Sequence, residues 1–273
     1  MLIKAGFDIT FDCPAPTPML LQLNVHHSRV ADLKSPDLIS SDPRLPIRAY
    51  LDIFGNWVTR VEAPPGRVTF SNRFLIQDSG LPDETIEDCD LTPIARLPDD
   101  VLQYLISSRY CDSDNLSNFA WASFGNIGGG GARARAISDF VHQKIRFSYP
   151  EARPTRSASD SLREGVGVCR DYAHLAIALC RCVNIPARYC TGYLGDIGVP
   201  PDVNPGDFSG WAEVYLDGRW QTLDARHNHP RIGRILIGRG RDAADVPIST
   251  AFGVANLIRF DIVTDEQAEV CAS

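Results

Sequence analysis

No stretch of this 273-residue chain approaches the roughly 18 consecutive apolar residues of a membrane-spanning helix, so no membrane partner is expected. The opening MLIKAGFDITFDC has one lysine and no long apolar run, a poor secretion leader, and suits a cytoplasmic chain that begins on a strand. Basic residues are not in excess. The 27 Lys and Arg against 34 Asp and Glu leave a net charge of −7, which argues against nucleic acid as a partner. There are eight cysteines but no CxxC pair, so reduced thiols rather than a disulfide framework are expected. Cys180 and Cys182 are too closely spaced for a zinc hairpin, and the HNH at 227–229 completes no recognised ligand pattern. No metal or cofactor is expected. The glycines Gly128 to Gly131 are followed by neither GKS nor GKT, and read as a flexible approach to a helix rather than a phosphate loop. Internal repeats and low-complexity tracts are also missing.

What is present is enough apolar residue for a core, 44% of the chain, in two differently patterned parts. Up to about residue 85 the pattern is β-rich. FDITFDC alternates apolar and polar residues, and IRAYLDIFGNWVTRVEA and GRVTFSNRFLIQ are rich in β-branched and aromatic residues. Phe54-Gly55-Asn56 predicts a hairpin turn. The acidic, turn-rich SGLPDETIEDCDLTP reads as a join. Beyond it the period lengthens. LPDDVLQYLISSRY predicts a helix with Val101, Leu102, Leu105 and Ile106, and Ile137, Phe140, Val141 and Ile145 share a second helical face. A third helix is expected from Cys169 to Val183, with Ala173, Ile177, Cys180 and Val183 on one face, stopped by Pro186. GWAEVYL, Asp217-Gly218 and RWQTLDA then predict a β-hairpin. The fold class is α+β, with an N-terminal antiparallel β module at 1–85 and a second domain at 86–273.

Cys169 stands where the glycine loop of Gly165 and Gly167 meets a helix start. Unpaired N–H groups and the helix dipole there favour an anion, which would lower the thiol pKa and supply a nucleophilic thiolate. The same N–H groups suit the oxyanion of a tetrahedral intermediate. The plainer alternative is a small buried hydrophobe, as expected for Cys180, Cys182 and Cys190. Asp224, at the end of the second hairpin strand, is either an orienting carboxylate or a turn cap. Asp171 suits the positive helix end as a structural cap, and His174, about 140° round the helix from Cys169, is expected to pack.

GVCRDYAHLAIALCRCVNIPARYCTGYL followed by GWAEVYLDGRWQTLDA resembles the transglutaminase-like core of bacterial cysteine-protease-like proteins. The β-rich start resembles the N-terminal region often joined to that core, so the resemblance covers nearly the whole chain. It implies a papain-like fold, in which a helix carrying cysteine packs on an antiparallel sheet carrying histidine and aspartate. It also implies Cys169 as nucleophile and Asp224 as the aspartate. The family histidine, however, falls on Ser209, whose hydroxyl does not titrate near neutrality and cannot hold the nucleophile's proton. His227, three residues after Asp224, is the candidate replacement, and some members of the family are similar, with serine in the first place and Asp-Ala-Arg-His-Asn in the second. The alternative for His227 is a surface-loop histidine.

The expected activity is that of a cysteine-dependent amide hydrolase or acyl transferase. It would act on a peptide or protein substrate through a thioester, with hydrolysis favoured over transamidation. Catalytic candidates are Cys169, His227 and Asp224; Trp211, Ser209 and Gly167 are candidates for the cleft wall or for substrate binding. The opposing reading is an inactive peptide-binding module that has lost its histidine. The arginines Arg226, Arg231, Arg234, Arg239 and Arg241 are either a solvated surface or a patch for an acidic substrate or a terminal carboxylate. Nothing in the pattern decides the oligomeric state.

Overall fold

The computed structural model describes residues 1–201 and 206–267. Along the chain, β1 (Leu2–Cys13), β2 (Thr17–Leu21), β3 (Ser40–Asp42), β4 (Arg48–Leu51), β5 (Trp57–Ala63) and β6 (Gly66–Gln77) come first. Then follow α1 (Asp99–Leu102), α2 (Ser117–Phe124), α3 (Gly130–Lys144), β7 (Arg146–Phe147), α4 (Ala158–Glu164), β8 (Val166–Gly167) and α5 (Cys169–Cys182). β9 (Ala187–Tyr193), β10 (Phe208–Leu216), β11 (Arg219–Leu223), β12 (Ile235–Gly240), β13 (Ser249–Ala251) and β14 (Asn256–Gln267) complete the described residues. The α+β class and the antiparallel core sheet under a cysteine-bearing helix are as expected.

Two four-stranded sheets, ordered β14-β1-β6-β3 and β13-β2-β5-β4, make up the first module. β1 pairs with β6 from Leu2↔Gln77 to Cys13↔Gly66, and its alternation sends Ile3, Ala5, Phe7, Ile9 and Phe11 inward. The 54–56 turn joins β4 to β5, with Leu51 opposite Trp57, as the sequence predicts.

The boundary at 85/86 needs correction at its far end. β14 pairs along almost all of β1, and β13 pairs with β2, so 249–267 belongs to the sheets of the first module. The two parts also share apolar contacts: Tyr193, Phe208, Ile235 and Ile237 of the core strands pack in one cluster with Phe7, Met19, Phe70 and Phe74. An exposed end strand would have left the β1 edge unpaired; β14 covers it.

The core sheet is ordered β11-β10-β9-β12. α5 lies across β10 and β9, with α2, α3 and α4 packed against it. The helix is therefore buried all round from Asp171 to Arg181 rather than along one face. Its polar members persist because they are bonded. Arg181 donates to the Ile106, Ala187 and Arg241 carbonyls, and the His174 ring accepts from the Ala243 N–H (3.1 Å) and stacks on Tyr110. The Ile106 carbonyl reaches Arg181 because Ile106 is extended (φ −97°, ψ 152°), and this ends the expected 101–106 helix early, after one α turn and a 3-10 turn. The glycine run is likewise not a loose approach. Gly130 and Gly131 form the buried first turn of α3, and a Cβ on Gly131 would sit 1.6 Å from the Ile86 carbonyl oxygen.

Candidate active site

α5 begins at Cys169 because the residue before its first turn is fixed from inside. The Val168 N–H donates to the Asp171 carboxylate (2.9 Å), which also receives Arg156 (3.1 Å) and Arg170 (3.2 Å). Asp171 is fully buried and is the structural cap the sequence predicts. Gly167 serves the same cap. A Cβ there would lie 2.6 Å from Asp171 Cβ, so only glycine lets the carboxylate fold back. Gly167 is buried, and its place is set by the Asp171 cap.

Cys169 is half-buried, and its sulfur lies 3.9 Å from the Phe208 carbonyl oxygen at the start of β10. Burial pushes the thiol pKa up. The Arg226 charge and the backbone N–H groups of Gly210 and Arg170 pull it the other way without prevailing, and Asp207 adds to the rise. The acid shift expected from the helix start alone is thus outweighed by desolvation, and a lower value needs a further positive charge, such as a protonated imidazole.

Asp224 leaves β11 and turns inward. Its Oδ1 accepts the backbone N–H of Arg226 (3.0 Å) and His227 (3.1 Å); its Oδ2 accepts Nδ1 of the His227 ring (2.8 Å) and Nη2 of Arg234 (2.7 Å). Burial alone would raise this carboxyl. The Arg234 charge and the hydrogen bonds from His227 and Arg234 outweigh it and hold Asp224 well below the usual carboxylate range. With Nδ1 committed to Asp224, His227 Nε2 has no hydrogen-bond partner among the described residues. The turn 224–228 is pinned by α3. Asn228 takes a left-handed conformation (φ 58°) and bonds Ser138 and Asp139, and the His142 ring donates to the Ala225 and Arg226 carbonyls. His142 carried no functional signal in the sequence, yet it positions this turn.

Ser209 and His227 line one cavity of about 540 Å³, together with Tyr149, Asp207, Arg226 and the strand segment 262–266 of β14. Cys169 is not in its wall but sits one residue away, against Phe208. The structure thus places His227, bonded to Asp224, and Ser209 on one cavity, with Cys169 against Phe208, the residue before Ser209. Trp211 is not part of it. It is buried further along β10 with Cys190 and Leu236, and its ring lies 5.0 Å from the Arg234 guanidinium. It lines a second cavity with Glu213 and Arg234, and its link to Asp224 runs through Arg234.

Most of the arginine run is paired within the fold. Arg234 is buried between Asp83 and Asp224, Arg239 pairs with Glu213, Arg241 with Asp245, and Arg231 donates to the Gly195 carbonyl. Of the five, Arg226 and Arg231 line the cavity, Arg226 with its guanidinium 4.2 Å from the Phe147 ring. The Arg234–Asp83 support was hidden in the sequence because Asp83 lies 151 positions away, although the arginine itself stood in the charge run. Seven cysteines among the described residues are unpaired; Cys271 lies outside those residues.

Residues 124–225 match the family model of the transglutaminase-like superfamily. An uncharacterized protein of Mycobacterium leprae is 31% identical over 113 residues, covering 40% of this chain and 40% of that one. An uncharacterized protein of Mycobacterium tuberculosis is 37% identical over 109 residues, 34% of this chain and 35% of its own. These matches span well under half of either relative. Over nearly the full length, the chain is similar to the crystal structure of a candidate cysteine protease from Cytophaga hutchinsonii, with 29% identity, a TM-score of 0.84, and coverage of 97% of this chain and 90% of that one. With a helix-borne cysteine over an antiparallel sheet, the core is similar to the transglutaminase-like superfamily in both sequence and fold.

Proposed function

We propose that the protein is a cysteine-dependent amide hydrolase of transglutaminase-like type, acting on a peptide or protein substrate, with Cys169 as nucleophile, His227 as base and Asp224 as its orienting group. The observation that carries this reading is the 2.8 Å bond between His227 Nδ1 and Asp224, in a turn held by α3, on the cavity that Ser209 shares. Asp224 fixes the tautomer that leaves Nε2 as proton acceptor. The thiol proton passes to Nε2 as the sulfur bonds to the amide carbon. The resulting imidazolium is the positive charge that the thiolate otherwise lacks. Collapse of the tetrahedral intermediate breaks the C–N bond, and the amine leaves with the proton from Nε2. Water, deprotonated by the same nitrogen, attacks the thioester, forms a carboxylic acid and returns the thiol. An amine in place of water would give transamidation; we favour water because it is the commoner acceptor and nothing in the cavity's polar lining excludes it.

The rate of Cys169 alkylation by iodoacetamide, followed by peptide mass spectrometry against pH, tests this. The parent protein is expected to react below the range of a free thiol (about 8.5), and His227→Ala is expected to lose that limb. If Cys169 titrates like the other cysteines in both proteins, the reading fails and the inactive peptide-binding module replaces it.

A further inference from the structure

Beside the cysteine the cavity wall holds a carboxylate that the chemistry above does not use. Asp207 is partly buried at the N-terminal end of β10, and its Oδ2 accepts the Tyr149 hydroxyl (3.2 Å). No ion pair of Asp207 occurs among the described residues, and residues 202–205 and 268–273 contain no Lys, Arg or His. Arg226 is the nearest cation by its effect, but its guanidinium lies over Phe147 rather than against Asp207. Burial raises the Asp207 carboxyl and pushes Tyr149 up to about 12, so Tyr149 stays a donor. A partly buried carboxylate without an ion-pair partner favours a cation placed against it. A second residue lines the same cavity. Ser209 is 4% exposed, and its buried Oγ has no hydrogen-bond partner among the described residues, an uncommon state for a buried hydroxyl.

We propose that Asp207, Tyr149 and Ser209 form a subsite for a primary ammonium group carried by the acyl donor. Asp207 takes the charge, and Ser209 Oγ takes a second hydrogen bond from the ammonium or from the adjoining amide N–H. This rests on the hydrolase reading and names its substrate class. The position fits the acyl donor: Asp207 flanks Phe208, whose carbonyl lies at the cysteine sulfur, so the ammonium sits within about two residues of the attacked carbonyl. It does not fit a reacting amine acceptor. A carboxylate holds an amine as ammonium, with its lone pair bonded to a proton and unable to attack. The ammonium has two sources, a free amino terminus or a lysine side chain.

The probes are dipeptidyl vinyl sulfones that alkylate the cysteine: alanyl-alanine with a free amino terminus, its N-acetyl form, and N-acetyl-lysyl-alanine. Parent protein and Asp207→Asn are inactivated with each, and modification is located by peptide mass spectrometry. Asparagine keeps the size and the Tyr149 contact and removes the charge. In the parent, at least one ammonium-bearing probe is expected to react about tenfold or more faster than N-acetyl-alanyl-alanine; the faster one identifies the source. Asp207→Asn is expected to bring all three within about twofold of one another. Equal rates in the parent, or a preference that survives in Asp207→Asn, would overturn the subsite. Iodoacetamide with His227→Ala separates the two failures. A His227-dependent thiol with no ammonium preference sinks only this proposal, and a thiol indifferent to His227 sinks the hydrolase reading itself.

Discussion

Asp224 concentrates more of the site than any other side chain: four hydrogen bonds converge on it, two of them from charged or chargeable groups. Asp224→Asn keeps its shape and removes its charge. The amide can present N–H to His227 and hold the wrong tautomer, and Arg234 loses one of its two carboxylates. Activity is expected to fall about 10³-fold or more. Stability should respond to pH with a definite sign. The folded pKa of Asp224 lies below its unfolded value of about 3.9, so its contribution is complete above that pH and is lost as pH falls through the folded value. The gap in urea-unfolding free energy between parent and Asp224→Asn should therefore be widest near neutrality and narrow below about pH 4. A gap of constant size would show that the charge of Asp224 does not carry the stabilisation. At this scale the sequence was legible where partners are near neighbours. Asp224 and His227 are three residues apart, and Asp171 faces its own helix start. It was silent on Asp83 and on the pairing of Tyr149 with Asp207, which only folding brings within reach.

At the scale of elements, two glycines separate two physical reasons for glycine. Gly218, in the Asp217-Gly218 turn between β10 and β11, has φ +73° and nothing within 4 Å of a built Cβ. Gly218→Ala is expected to cost about 1 kcal/mol, all of it conformational. Gly167 is limited instead by space, because Asp171 fills the place of its side chain. Gly167→Ala should cost more, about 2–3 kcal/mol, and should disturb the start of α5 and with it the reactivity of Cys169. Urea unfolding and the alkylation rate of the two variants check this; a Gly167→Ala protein as stable and reactive as Gly218→Ala would refute the cap argument. The hairpin was readable because Asp-Gly between alternating runs is a local signal. The extent of α1 was not, because it is decided by the demand of Arg181 for the Ile106 carbonyl, 75 residues away.

For the whole molecule, the return of 249–267 to the first module decides the design. β14 closes the β1 edge, and its residues 262–266 also wall the cavity, so the module contributes to the site it adjoins. A chain ending at residue 248 should lose the fold of the first module, not merely a tail. The expected result is protease cleavage within 1–77 and loss of cooperative unfolding; a trimmed chain that resists protease would show that the first module stands without β14. By itself, the sequence determined the local periods, the turns, the cysteine at a helix start and the aspartate–histidine spacing. These are short-range properties, set by backbone sterics and by which residues share a face. Only the tertiary structure decided which charges meet, which strand closes which sheet and which hydroxyl is left without a partner. Those outcomes depend on packing between segments distant in sequence, where neither spacing nor propensity acts.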